Sequence, residues 1–390
     1  MTDNTHKASL DMWARVAPTD EAREKIWSVR RSFGADVWFR FRRKPAAMGG
    51  LLMAALLLVF ALAGPLFTPY SYSQQKLSFA NIPPVLPVSR APNGNFLYVT
   101  PSMKVIEADG GGALLGPLTK GKEDFDLRRI PYKLGEAFVY LDYTSMPATL
   151  LGPDLLPLPA AGKIWNRSYL LGTDHLGRDI LTRLMHGTRI SLLVAFIAAF
   201  VNMVIGVLYG GISGYVGGRT DSLMMRVVDI ISTIPLMLYV ILIKVALDSG
   251  FLSIIIALSS VYWVMLARVV RGQVLSLKQQ EFVLAARSIG SNTRYILFKH
   301  LIPNALGPIL VTVTMLIPSA IFIEAFMSFI GIGIAPPMAS LGTMCNDGME
   351  ALRSNPYQLF LPAAVICLIM FSFNFIGDGL RDALDPKLRK

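Results

Sequence analysis

The chain has 390 residues, of which 53% are hydrophobic and 16% charged, with a mean hydropathy of +0.50. That balance excludes an ordinary soluble domain, where charged residues approach a quarter of the chain. The net charge of +11 sits beside apolar runs rather than in one patch with interleaved aromatics, which excludes nucleic acid as a partner and fits a membrane protein.

Residues 1–45 hold ten Lys and Arg, densest at Arg40, Arg42, Arg43 and Lys44. Basic residues accumulate on the cytoplasmic side of a bilayer, so this tail is expected in the cytoplasm. Trp27, Phe33, Trp38, Phe39 and Phe41 among its arginines suit an interfacial helix on anionic headgroups; a disordered basic leader has the same composition. Residues 46–67 form the first apolar run. It follows a long polar tail and exceeds a signal-peptide core, so it reads as a transmembrane helix, not a cleaved leader.

Residues 68–165 are rich in Pro and Gly and are expected as an extracytoplasmic insertion. NFLYVT, KVIEAD and EAFVYLDY carry β-branched and aromatic residues between turn signals, the pattern of a small β-rich domain. Within it GPLTKGKE, residues 116–123, comes within one residue of a phosphate-binding loop. Glu123 stands where a hydroxyl would hold magnesium, and a carboxylate there repels phosphate, so the match is accidental.

Residues 172–192, GTDHLGRDILTRLMHGTRISL, open the remaining core, 166–390, which carries five further runs. Ile180, Leu181, Leu184 and Met185 make an apolar stripe, with Asp179, Thr182, Arg183 and His186 facing away and Gly187 placed to close the turn. The expectation is a short amphipathic helix on the outer membrane face. Asp174, His175 and Asp179 lack the second histidine of a metal site and are not read as one. The next spans are expected within 190–218, at 224–247 and at 251–267. Arg226 and Asp229, three apart, can pair on one helix face. Lys244 can extend its ammonium to the interface.

Residues 282–304 are a basic island, FVLAARSIGSNTRYILFKHLIPN. Phe282, Ala285, Ala286 and Ile289 recur at helical spacing. Gly290 can stop that helix, Asn292 can cap the next, and Pro303 can end it. A docking helix-turn-helix, whose small Ala285–Ala286 pair admits a close partner, and a connecting loop with nascent helicity both fit. The last two spans are expected at 305–323 and 358–377. Glu324 falls near the outer bilayer boundary, where it can line a passage or cap helix ends. Cys345 is expected on an outer loop and Cys367 within the last span, both free. No metalloprotease, nucleophile-elbow or zinc-cysteine motif occurs, so no catalytic residue, metal or cofactor is expected.

The island resembles the coupling loop of ABC-importer permeases, E-A-A, three residues, Gly, nine residues, Ile, any residue, Leu, Pro. Ala285, Ala286, Gly290 and Ile302–Pro303 match; Leu284 replaces the glutamate and His300 the isoleucine. Gly172, Thr173, Asp174, Gly177, Arg178 and Asp179 are similar to the opening of the peptide-importer signature. Thr182, Arg183, Gly187, Arg189, Ser191 and Leu192 continue it. Glu324, Ala325, Ser328, Phe329, Gly331 and Gly333, with Pro336 and Pro337, resemble a third family pattern, in which Met327 replaces a leucine and Leu341–Gly342 a Trp-Gly.

Over residues 171–388 the chain is identified as a member of the binding-protein-dependent permease family. It resembles the inner-membrane permease subunit of a dipeptide or oligopeptide ABC importer. The resemblance implies an all-α polytopic protein of about six transmembrane helices with a cytoplasmic coupling helix-turn-helix. It further implies two cytoplasmic ABC ATPases, a second homologous permease, an extracytoplasmic peptide-binding protein, and both termini in the cytoplasm of a bacterial inner membrane. Phe282 and Leu284 would join the matched residues in ATPase coupling. The same architecture serves nickel or another small solute. A secondary transporter should show inverted repeats, which are not evident. A membrane enzyme would need a constellation in the insertion, where Asp109, Glu123, Asp124 and Asp126 read as solvated charges.

Overall fold

A computed structural model describes residues 32–145, 147–247, 250–335 and 337–385. Most of the aromatic-basic tail therefore lies outside the described residues, as do Pro336 and the last five residues. Ser32 caps α1, Phe33–Arg42, and Pro45 opens α2, Pro45–Leu62, at the helix position where its missing N–H is harmless. Phe41 is buried and packs with Ala47 and Ala383, which ties α1 to the final helix.

Among its described residues the insertion folds as nine antiparallel strands in two sheets. Strands β1, Val85–Arg90, β2, Phe96–Val99, β3, Val105–Ala108, and β4, Leu114–Pro117, form the first sheet with β9, Ala160–Trp165, in the order β4-β3-β2-β1-β9. Strands β5, Thr119–Lys120, β6, Arg129–Leu134, β7, Ala137–Asp142, and β8, Thr149–Leu151, form the second. Alternation sets the inward faces: Ile130, Tyr132 and Leu134 from β6 and Val139 and Leu141 from β7 meet Leu97 and Val105 of the first sheet. The false phosphate loop spans β4 and β5, and Glu123 is paired with Lys120 at 2.8 Å.

Among the described residues, five helical segments are long and apolar enough to cross a membrane, and a sixth crossing arises if one bent pair counts as a span. Helix α3, Ile180–Val216, is 37 residues long, about 55 Å, nearly twice a hydrocarbon core of ~30 Å. The short surface helix expected at 180–187 is thus the first part of a long span. Gly187 does not stop it: a Cβ there would lie 3.2 Å from the backbone of Ser340 and Leu341, so the glycine admits a neighbouring chain segment.

The third expected span is broken. Helices α4, Gly218–Thr233, and α5, Leu236–Ala246, meet at 88°. Pro235 lacks the N–H to continue the helix and disfavours a helical residue before it, and Ile234 is extended at ψ 126°. Helices α6, Phe251–Ser259, and α7, Trp263–Leu277, then make one span with a joint at 260–262. Helix α8, Glu281–Ser288, turns into α9, Thr293–Tyr295. The chain continues through a π stretch, Ile296–Leu301, into α10, Ile302–Phe329. Pro303 does not end the helix as its sequence suggests. The wider π turn precedes it, and a proline within the first turn of α10 removes no needed donor. Helices α11, Leu341–Glu350, and α12, Tyr357–Leu384, complete the bundle, whose main core gathers residues of α3, α6, α10 and α12.

Candidate functional site

At one end of the bundle, residues 172–183 form a clasp. Gly172 and Gly177 take φ of +79° and +72°. A Cβ on Gly177 would overlap the Lys76 carbonyl, so only glycine lets the loop close on the incoming chain. Thr173 Oγ1 donates to the Phe79 carbonyl at 2.5 Å and accepts the Ile82 N–H at 2.9 Å. Tyr357 and Gln358 of α12 donate to the Thr173 carbonyl. Asp179 accepts the Thr182 N–H at 2.8 Å and caps α3.

The charged residues of this stretch turn inward, contrary to the amphipathic expectation. Arg178 donates to Asp174 at 2.6 Å and to Asp347 of α11 at 2.9 Å. Arg183 bridges the same two carboxylates. Two cations and two anions thus balance in a cluster whose Arg178, Arg183 and Asp174 are buried while Asp347 lies at its partly exposed edge, the condition under which buried charge is tolerated. Burial pushes the Asp174 carboxyl upward, but the Arg183 and Arg178 guanidiniums and the Arg178 N–H outweigh it and hold it below the usual carboxylate range. Asp179 is raised, chiefly by burial. Arg189 is exposed, outside the clasp. Asp174, His175 and Asp347 bring possible ligand atoms within 4.8 Å of one another; both carboxylates already serve arginines, and Asp179 caps a helix instead of joining them. Asp347 was missed from sequence. It lies 164 residues from Arg183, and no local pattern marks it.

Glu324 lies inside the same end, fully buried. It accepts from Ser191 of α3 at 2.7 Å and Ser328 at 2.9 Å. Ser191 also accepts the Leu341 N–H, so the carboxylate ties α3, α10 and the start of α11 together. Cys345 is buried in α11 rather than on a loop, and Cys367 is exposed on α12.

At the far end of α10 stands the hairpin of α8 and α9. Gly290, at φ +81°, follows the last turn of α8. Its N–H meets the Arg287 carbonyl and the Ser291 N–H meets the Ala286 carbonyl, the paired bonds of a Schellman stop. Asn292 caps α9 by accepting the Tyr295 N–H at 2.7 Å. Ala286 faces inward, within the chain's own core. It is 6% exposed and packs with Val283, Val270, Val274 and Ile296. The helical repeat that groups it with Ile289 fails because α8 ends at Ser288. The free face carries Phe282, Leu284 and Ile289, exposed by 39%, 50% and 82%, with Ala285 beside them. Ile302 and Pro303 open α10; Ile302 packs against the cluster that holds Val283 and Ala286, and Pro303 is exposed.

Arg226 does not pair with Asp229. Asp229 accepts from Arg268 of α7 at 2.8 Å, because α4 packs on α7 through Val228, Trp263 and Val264. Lys244 does not extend to an interface either; its Nζ is buried and donates to the Gly250 carbonyl and Ser253.

A helix bundle of five or six crossings, clasped by buried arginines at one end and presenting an apolar hairpin at the other, defines a polytopic membrane protein. Residues 181–390 match the family model described as binding-protein-dependent transport system inner membrane component, and the chain belongs to that family. Residues 32–84 match the N-terminal transmembrane domain of oligopeptide transport permease C. The oligopeptide transport system permease protein OppC of Bacillus subtilis is 39% identical over 367 residues, 94% of each chain. The dipeptide transport system permease protein DppC of the same organism is 36% identical over 389 residues, 99% of this chain and 96% of the relative. An OppC of Haemophilus influenzae is 49% identical over 221 residues, covering 57% and 71%.

Proposed function

We propose that this chain is the membrane-embedded subunit of an ATP-driven importer of dipeptides or oligopeptides, itself without catalytic activity. Its partners are two cytoplasmic ATPases, a second permease and an extracytoplasmic peptide-binding protein. The observation that carries the reading is the hairpin at 281–295. Three large apolar side chains there stand in the open at the end of a bundle whose nearby Arg268, Arg287, Arg294 and Lys299 suit the cytoplasmic side. Val283 and Ala286 anchor the hairpin to α7 and the π stretch, and α9 runs on into α10. A force on the hairpin therefore moves a whole membrane helix, the kind of rigid-body switch that couples distant sites. With Leu284 in place of an acid, the contact depends on packing rather than charge. Two further proposals follow: both termini lie in the cytoplasm, and the β unit of the 68–165 insertion faces outward, on the clasp side.

The test is reconstitution in liposomes with the ATPases, second permease and binding protein. Peptide should stimulate ATP hydrolysis and enter the lumen. Ile289→Asp should leave the bundle folded and lower peptide-stimulated hydrolysis at least about tenfold, since a desolvated apolar anchor is commonly worth 2 kcal/mol or more. Wild-type coupling in that variant would sink the docking role.

A further inference from the structure

One face of α10 is left uncovered along the side of the bundle, where Asn304, Pro308 and Ser319 are exposed, and carries a groove. Its lower part, about 1000 Å³, lies between α7, α10 and α12. Its upper part, about 370 Å³, continues toward Leu236 and Ile323. Tyr262, Ser319 and Asn374 border both volumes. Along α10 the lining runs from Asn304 through Thr312 to Ser319 and Ile323, a rise of about 28 Å at 1.5 Å per residue. That is close to the ~30 Å depth of a hydrocarbon core.

The polar groups in this groove need an explanation. Gln273 of α7 and Asn374 of α12 are half-buried side-chain amides within apolar spans, with no hydrogen bond among the described residues. An amide facing hydrocarbon without a partner costs several kcal/mol, so Asn374 must meet water or a polar solute; Gln273 lies beyond Arg268 and Arg271 toward the charged end of α7, where the groove opens to water. Tyr262 Oη donates to the Ser319 carbonyl at 3.2 Å, and the Ser319 hydroxyl donates to the Met315 carbonyl. Both hydroxyl oxygens therefore keep an acceptor lone pair. Between these groups the walls are apolar and adaptable, with Met265, Met315, Val311 and Leu277. The charged lining residues, Arg381 and Asp385, are on the last turn of α12 and beyond it.

Resting on the importer reading, we infer that this groove is the chain's half of the solute passage and that it reads the peptide backbone. The Gln273 and Asn374 amides donate to peptide carbonyls and accept peptide N–H groups. Ser319 and Tyr262 accept further N–H groups at the waist. Methionine walls yield to side chains of different shape. Such a passage distinguishes peptides from metal ions, which seek carboxylates or imidazoles, but barely distinguishes one short peptide from another.

The assembled importer in liposomes, supplied with trialanine or trileucine, tests this. Asn374→Leu and Gln273→Leu should each lower peptide delivered per ATP hydrolysed about tenfold, and equally for both peptides. In a Cys367→Ser background, which removes the other exposed thiol, Ser319→Cys should react with an aqueous methanethiosulfonate reagent and be protected by excess trialanine. Unchanged delivery in both leucine variants would overturn the inference. So would a Ser319→Cys thiol that stays unreactive throughout the ATP cycle, or that cross-links to the second permease, since the groove would then be a subunit seam. If a leucine variant fails to assemble, the Ser319→Cys reactivity decides. If the unaltered complex moves neither peptide, the importer reading fails on its own, and that reactivity still decides whether the groove is wet.

Discussion

Asp174 carries more of this molecule than its sequence context suggests. It serves Arg178, Arg183 and two backbone N–H groups at once. Asp174→Asn leaves two buried guanidiniums with Asp347 as their remaining anion and should cost about 3–5 kcal/mol, measured by denaturation of the solubilised protein. Between its depressed folded value and the ordinary carboxylate pKa near ~4, the unfolded chain binds more protons than the folded one. Its stabilisation is therefore full above that window and is lost as pH falls through it. Asp179, raised by burial, works oppositely, since its folded form takes up a proton first and gains as pH falls. The expected result is a midpoint that declines in acid below about pH 4, with Asp174→Asn flattening that decline. In a Cys367→Ser background, which removes the exposed thiol of α12, Cys345, whose thiol burial pushes up to about 12, should react with maleimide only after unfolding. Labelling of that folded variant would contradict the packing of Cys345. The glycines and carboxylates of residues 172–183 were legible as a motif, but their inward direction was not, because the partner that neutralises the arginines comes from α11.

Among the elements, the α8–α9 hairpin was the most legible. A glycine stop and an asparagine cap act within a few residues, so sequence spacing states them directly. Gly290→Ala places a side chain at φ +81° and should destabilise by about 1–2 kcal/mol. Which face of α8 is free was not legible, since a helix of two turns offers no long period and its packing is chosen by α7 and the π stretch. Ala286→Glu should therefore act on folding rather than docking, by burying an unpaired charge beside Val270 and Ile296. A lowered thermal midpoint and poor recovery are expected for it, against a normal midpoint for Ile289→Asp. Equal midpoints in the two variants would refute the assigned faces. The same distinction explains α3: composition identified an apolar run, while its full length depended on a glycine whose neighbours, Ser340 and Leu341, lie far along the chain.

At the scale of the whole molecule, the β unit hangs from two adjacent points. Val85 pairs with Trp165, so strand pairing holds the entry and exit about 5 Å apart. The clasp contacts made by Asn81, Ile82 and Thr173 lie outside that pair. Replacing residues 86–164 with a short Gly-Ser linker should leave the bundle's thermal midpoint nearly unchanged while removing both sheets, as circular dichroism would read. Collapse of the bundle would show that the sheets hold it together.

Apolar runs, charge asymmetry, turn residues and caps act over a few neighbours or through bulk transfer energies, so spans, the β-rich insertion and the hairpin can all be read along the chain. Direction cannot. Whether Arg183 faces lipid or Asp347, whether Ala286 faces a partner or Val270, and whether Asn374 meets hydrocarbon or a groove depend on helices packed from distant segments. Pro235 and Pro303 make the same point: one bends the chain by 88° and the other lies within a continuing helix. A proline's effect is set by whether the surrounding helix can supply another hydrogen-bond pattern, and here only the packed bundle decides that.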